Sequence, residues 1–350
     1  VLFSSVGASG RMAIQLDAAW RYFWTSLTQI LPAKKEELMA ISEVTNSHTT
    51  GGDRALVRSV ENFEDYMTFG ARQVDEAEMG PGDVLVALSE CGLSASVNGA
   101  ALQGQENGCK TFYLYCNPKE ILYAHLDRVK ESFDRPDIIK IPLFVGNMAV
   151  AGSTRMQVTT VELLVAGAAL EAAAYKWMQE HLTEDELKVV NVAGKGALDL
   201  DAYADAHQNL LDQLSTGAAL EGLTKAVELE YNTYMEKGLV TYLTHDYLLD
   251  IMTDTTERQP TFTLPPFKKF ADKNAQVSWA YVKDPLYPNT VAWQHLFRRP
   301  IKGLEWGKED YIRMNADQQI INNPPHVSGE EVLDYNIGNE VDESRYSRKP

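Results

Sequence analysis

The chain has 350 residues, 45% of them hydrophobic, which is enough for two domains with buried cores and argues against disorder. Its 49 acidic residues against 32 basic ones give a formal charge of −17, with no dense basic run to track a phosphate backbone or an anionic membrane surface. Cys91, Cys109 and Cys116 lack metal-type C-x-x-C spacing and the density of a disulfide scaffold, and no uninterrupted apolar run reaches the roughly 18 residues that span a bilayer. A reducing, cytoplasmic setting is the expectation.

The chain opens on the apolar run Val1–Val6, which reads as a buried strand; a natural protein seldom begins inside one, so residues upstream are expected to be missing. Helical periodicity follows over Met12–Leu31, then a strand at Met39–Thr45 and a helix at Arg54–Phe69. Asp83–Leu88 reads as a strand and Ala95–Asn107 as a helix, Thr111–Tyr115 and Ile138–Pro142 as strands, and about Thr160–His181 as a long apolar helix. Strands joined by crossover helices imply an α/β fold with a doubly wound five-stranded parallel sheet over residues 1–182. Residues 183–237 carry helical patterning alone and read as a connector. Strand signals return at Gly238–Leu243 and Gln276–Val282, so 238–350 is expected to be a second, partial or degenerate α/β domain.

The loops after the strands carry the chemistry. Gly7-Ala8-Ser9-Gly10 sits between the first strand and the first helix, where a glycine turn and a helix N-terminus favour an anion; its G-x-x-G spacing is not the dinucleotide fingerprint. Ser89 and Ser94 lie in a second such loop, which also holds Glu90. Gly51-Gly52-Asp53-Arg54 follows the second strand, with Glu61 and Glu64 one helical turn apart beyond it, and Ser153 and Thr154 precede the long apolar helix. In an open parallel sheet such loops converge outside the carboxyl ends of the strands, and their hydroxyl and N–H groups hold a phosphate without lysine. The histidines His125, His181, His207, His245, His295 and His326 show no ligand-like spacing, so neither a metal nor a cofactor is expected.

Taken together and in this order, Gly7-Ala8-Ser9-Gly10-Arg11, Gly51-Gly52-Asp53-Arg54, Gly92-Leu93-Ser94-Ala95 and Gly152-Ser153-Thr154-Arg155-Met156 resemble the loops of the SIS (sugar isomerase) fold. The branch resembled holds the N-acetylmuramate 6-phosphate etherases and the glucokinase regulatory proteins, with the serine loop more similar to the regulators. Thr253–Phe262 resembles, more loosely, the start of the regulators' second SIS domain. The resemblance implies a phosphosugar as ligand, a sugar kinase as a candidate partner, and a pocket completed by a second SIS domain or a second copy. It also implies that Glu64 matches the carboxylate that removes a proton in the etherases, whereas Trp20, three residues beyond Asp17, stands where they carry the acid that assists ring opening. Losing such a group costs about 10²–10⁴-fold in rate. Ala8, in place of the family's threonine, removes one hydroxyl from the first loop.

Two functions follow. One is a regulator-like protein that senses a ketose or amino-sugar phosphate through Gly7, Ser9, Gly10, Ser89, Ser94, Ser153 and Thr154. The other is a sugar-phosphate lyase or aldose–ketose isomerase using Glu64 as base, with Glu90 or His48 as its partner. A third reading is a degenerate SIS domain kept for assembly.

Overall fold

The computed structural model describes residues 1–60, 62–154, 156–193, 199–256 and 267–341. Strands β1 (Leu2–Ser5), β2 (Asn46–Thr49), β3 (Val84–Ser89), β4 (Lys110–Tyr115) and β5 (Ile138–Pro142) form one sheet in the order β2-β1-β3-β4-β5, every pair parallel. Parallel strands need crossovers. Here these are α1 (Gly7–Ile30), α2 (Lys35–Ser42), α3 (Met67–Glu76), α4 (Ala95–Glu106), α5 (Lys119–His125) and α6 (Asp127–Phe133), with α7 (Gln157–His181) running on after β5.

Both faces of the central strands are buried, which is why β3 and β4 read as nearly continuous apolar runs. Phe3, Leu88 and Leu114 point to the face covered by Met12 and Leu16 of α1 and Ala166 of α7. Leu2, Leu85, Ala87, Tyr113 and Tyr115 point to the other face, covered by α4 and by Phe133 of α6. Among the described residues α7 is the one helix long and apolar enough to cross a membrane by length and composition. It packs along α1, with Ala174 and Met178 against Trp20 and Trp24, and Glu162 and Glu171 interrupt its apolar run.

Two sequence expectations need correction. The strand expected at Met39–Thr45 is the end of α2, built from good helix formers with Glu36 and Glu37 in its first turn, and the strand itself comes later, at Asn46–Thr49. This strand is polar because it is an edge strand whose side chains meet charged groups. The helix expected at Arg54–Phe69 is broken into 3₁₀ turns at Asp53–Leu56 and Phe63–Asp65, separated by Asn62 at a left-handed φ of 65°, and α3 begins only at Met67.

Beyond α7 the chain forms α8 (Glu184–Val189), α9 (Leu200–Leu214) and α10 (Gly217–Met235). No residue of these three helices is buried, and Leu210, Leu223, Val227 and Tyr231 are exposed apolar side chains. Strands β6 (Val240–Leu243) and β7 (Ala280–Lys283) then pair in parallel, flanked by α11 (Leu248–Thr255) and α12 (Asn289–Phe297); α13 (Lys308–Arg313) and α14 (Gln318–Asn322) follow. This part is cemented to the first sheet. Ile14, Leu56 and Val57 share one apolar cluster with Met252, Tyr281, Trp293 and Phe297, and Phe63 and Phe69 share another with Trp306 and Tyr311.

A buried polar network adds to that seam. Arg299 forms a bidentate pair with Asp53 (2.7 and 2.9 Å), reaches Asp17 at 3.2 Å and donates to Ser47 Oγ at 3.1 Å. Asp17 also accepts from Arg21 (2.9 Å), Thr45 (2.8 Å) and Ser47 (3.0 Å). Burial and the neighbouring Arg299 push the Lys302 ammonium down to about 7, while it donates to Asn46 Oδ1 and to the Ser47 carbonyl.

Candidate functional site

At the carboxyl ends of β1 and β3 three segments meet. Ser9, fully buried in the first turn of α1, accepts a hydrogen bond from the backbone N–H of Glu90 at 3.2 Å and donates to Glu162 Oε2 of α7 at 3.2 Å. Thr159 Oγ1, in the first turn of α7, lies 3.1 Å from Glu90 Oε1. Ser9 of the first loop and Glu90 of the second are thus joined to each other, and Ser9 to Glu162 of α7, in one continuous set of bonds.

The helix ends at this point are open. Val6 precedes α1, Ser94 precedes α4 and Met156 precedes α7, and none of the three supplies a side-chain cap, nor does any of the helices carry an acidic residue in its first turn. Helix N-termini left this way present unpaired N–H groups and the positive end of the macrodipole, the two features that attract an anion. Gly7 adopts a left-handed φ of 60° at the first of them, a conformation only glycine takes without strain. Gly10 is required for a different reason: a Cβ there would lie 2.2 Å from Thr49 Oγ1.

The serine loop has its own internal order. Ser89 Oγ accepts from the Gly92 N–H at 3.1 Å, the Gly92 carbonyl accepts from Tyr113 Oη at 3.1 Å, and Ser94 Oγ lies 3.9 Å from Cys91 Sγ instead of turning onto its helix. Ser153 Oγ is buried with no hydrogen-bond partner, an unmet hydroxyl in the fourth loop. Thr154, beside it, is half-buried and gives its carbonyl to Thr159 Oγ1 at 2.7 Å.

Sequence reasoning missed Glu162. Its carboxyl is wholly buried, and that burial, followed by the proximity of Glu90, holds it well above the usual carboxylate range. The available signal was an acid within the most apolar stretch of the helix, residues 158–170. Cys116 Sγ lies 4.0 Å from Glu162 Oε1, and burial pushes this thiol up as well. Because the folded chain holds a proton that the unfolded chain releases above pH 4.5, Glu162 contributes stability that is present below that value and lost as pH rises through its raised folded value. Glu162→Gln is expected to remove this slope, melting a few degrees above wild type near pH 8 and level with it near pH 4.5 in thermal unfolding scans.

Glu64 is exposed on the 3₁₀ turn Phe63–Asp65, beside the buried Phe63; Glu61 and Arg155 lie outside the described residues, as does part of the Thr253–Phe262 segment. His48 on β2 has a buried, unpartnered Nδ1, and burial, with Lys302 and Arg299 nearby, pushes the imidazole down to about 3. It stands neutral among cations. Trp20 is a core residue: its indole N–H donates to the Ile41 carbonyl at 2.8 Å and its ring meets Trp24 edge-on at 5.4 Å.

Residues 1–105 match the family model described as the glucokinase regulatory protein N-terminal SIS domain. The chain is 26% identical over 193 residues to N-acetylmuramic acid 6-phosphate etherase 1 of Bacillus licheniformis, covering 55% of each chain. It is 30% identical over 162 residues to the etherase of Deinococcus radiodurans, covering 46% of this chain and 45% of the relative, and 37% identical over 110 residues to that of Thermosynechococcus vestitus, covering 31% and 32%. The chain thus spans about half the length, or less, of the curated relatives it matches. A solved structure from E. coli CFT073, that of c3406 in a ligand complex, is similar at 14% identity and a TM-score of 0.32, covering 54% of this chain and 75% of that one. The first 105 residues are therefore similar in sequence to a SIS domain, and they lie in the doubly wound, five-stranded parallel sheet of that fold.

Proposed function

We propose that this chain binds a ketose or amino-sugar phosphate and senses it in the manner of the glucokinase regulatory proteins, without turning it over. The observation that carries the reading is the meeting of open helix N-termini at the Ser9–Glu90–Glu162 bonds. The N–H groups suit a phosphate, and the carboxyl groups of Glu90 and Glu162 suit sugar hydroxyls. The burial of Trp20 in the α1–α7 core supports binding over chemistry, since a tryptophan cannot supply the acid of the etherase reaction. On the same reading residues 1–182 are the SIS unit, residues 183–237 the connector and residues 238–350 a degenerate second SIS-like unit. A sugar kinase is its candidate partner, the cytoplasm its setting, and a second SIS domain or a second copy completes the pocket.

The test is thermal unfolding with fructose 6-phosphate, fructose 1-phosphate, glucosamine 6-phosphate and N-acetylmuramate 6-phosphate. A ligand at 100 times its Kd stabilises by about 2.7 kcal/mol, and Ser94→Ala, at the open end of α4, is expected to lose most of that shift while melting like wild type without ligand. No shift with any of the four would sink the proposal.

One observation favours a second reading. Two neighbouring carboxyl groups, one pushed well above the usual carboxylate range by burial and by the other's charge, form the kind of pair that divides acid and base roles. With the etherases among the relatives, this supports a sugar-phosphate lyase, and cleavage of N-acetylmuramate 6-phosphate that Glu162→Gln abolishes would establish it.

A further inference from the structure

We propose that His245, Asp246 and His295 form a binding site for a transition-metal dication of the zinc class, apart from the serine loops. His245 and Asp246 lie in the loop between β6 and α11, and His295 lies in the last turn of α12, so the β6–β7 pairing brings together residues fifty positions apart in the sequence. The two imidazoles stack at 4.1 Å between centroids and 26° between planes. One donor atom from each of the three residues lies within 4.8 Å of the others.

The strongest sign is the support behind His245. Its Nδ1 bonds to Asp284 Oδ2 at 2.8 Å, and Asp284 is fully buried at the end of β7, with its other oxygen accepting the N–H groups of Leu286 (2.7 Å) and Tyr287 (3.2 Å). A carboxylate held so firmly fixes the Nδ1–H tautomer and leaves the Nε2 lone pair for a ligand, the arrangement found behind metal-bound histidines. Two imidazole nitrogens and one carboxylate oxygen suit zinc and its neighbours better than magnesium or calcium, with a fourth position left for water.

The site opens on a cavity of about 350 Å³, also lined by Gln15, Tyr22, Asp250 and Arg298. Asp246 Oδ1 lies 3.7 Å from His295 Nε2, on a mostly exposed side chain that can close on an ion. Arg298 is the competitor. Its guanidinium donates to His295 Nε2 at 3.0 Å while lying over the Tyr22 ring, so a metal must take the lone pair that Arg298 now holds.

Titration calorimetry of the full chain with zinc, and the visible spectrum of its cobalt complex, test the site. Wild type is expected to take one ion with a tetrahedral cobalt spectrum. His295→Ala and the exposed Asp246→Asn should each weaken binding at least tenfold, and Arg298→Gln should tighten it. Absence of binding by wild type would overturn the proposal, as would affinity and stoichiometry unchanged in both His295→Ala and Asp246→Asn. The Asp246 variant keeps the test valid should the His295 variant not fold.

Discussion

Arg299→Ala is expected to destabilise the chain by about 3–5 kcal/mol, because removing one member of a buried ionic cluster leaves the opposite charges desolvated and unpaired. Asp53 would lose a bidentate partner and keep only the Lys302 N–H at 2.6 Å, while Asp17 would lose one of four donors. Burial works against the charge on Arg299, yet its bonds to Asp53 raise its pKa on balance, so the guanidinium remains charged in the folded chain. Arg299→Lys should recover little, since an ammonium cannot span both Asp53 oxygens. The double variant Arg299→Ala, Asp53→Asn should regain part of the loss by discarding the orphaned charge. Denaturant unfolding of the three variants measures this; a loss below about 1 kcal/mol for Arg299→Ala would place the cluster in the range of a solvated surface pair.

Gly99→Ala should be strongly destabilising for a change of one methyl group. Helices α3 and α4 cross with their backbones in contact: a Cβ on Gly99 would lie 1.9 Å from the Met67 carbonyl oxygen, and one on Gly70 would lie 1.7 Å from that of Ser96. Neither obstacle is a side chain that can swing away, so the helices must separate, at a cost at or above the upper end of the ~1–3 kcal/mol usual for overpacking. A shift of α4 also moves Ser94 and the open helix end, and it strains the 2.8 Å bond between Thr50 and Ser96 hydroxyls that ties α4 to the loop after β2. Phosphosugar binding should therefore fall together with stability, and calorimetry beside thermal unfolding reads both. A variant that melts like wild type would show that the crossing can relax.

The parts of this fold legible in the sequence are those where local chemistry and global position agree. Strands β3 and β4 are apolar because helices cover their residues, and their bounds follow from composition; β5, at the far edge with Ile139 exposed, keeps the same apolar, β-branched make-up. Strand β2 hides, since Asn46, Ser47, His48 and Thr49 have the composition of a loop and owe their extended form to a neighbour on one side and to charged groups from far along the chain on the other. The loops around Ser9 and Ser94 announce themselves through glycine and hydroxyl spacing. Glu162 does not, because its meaning depends on α7 bringing it to Ser9 across 153 positions of sequence. Arg299 and Asp53 are 246 positions apart, and nothing local marks either as half of a pair.

The polar character of β2 has a consequence for how copies of this protein meet. As the outermost strand of its sheet it offers a row of backbone groups to any other extended chain. The segment from Arg299 to Lys302 lies against it, with Lys302 Nζ on the Ser47 carbonyl and the Lys302 backbone bonded both ways to Asp53. An incoming strand would have to displace the Lys302 side chain and the salt-bridged Arg299 before making its first ladder bond. The strap therefore guards the sheet against edge-to-edge growth, and a chain truncated before residue 299 should form fibrils or higher oligomers where the intact one stays dispersed.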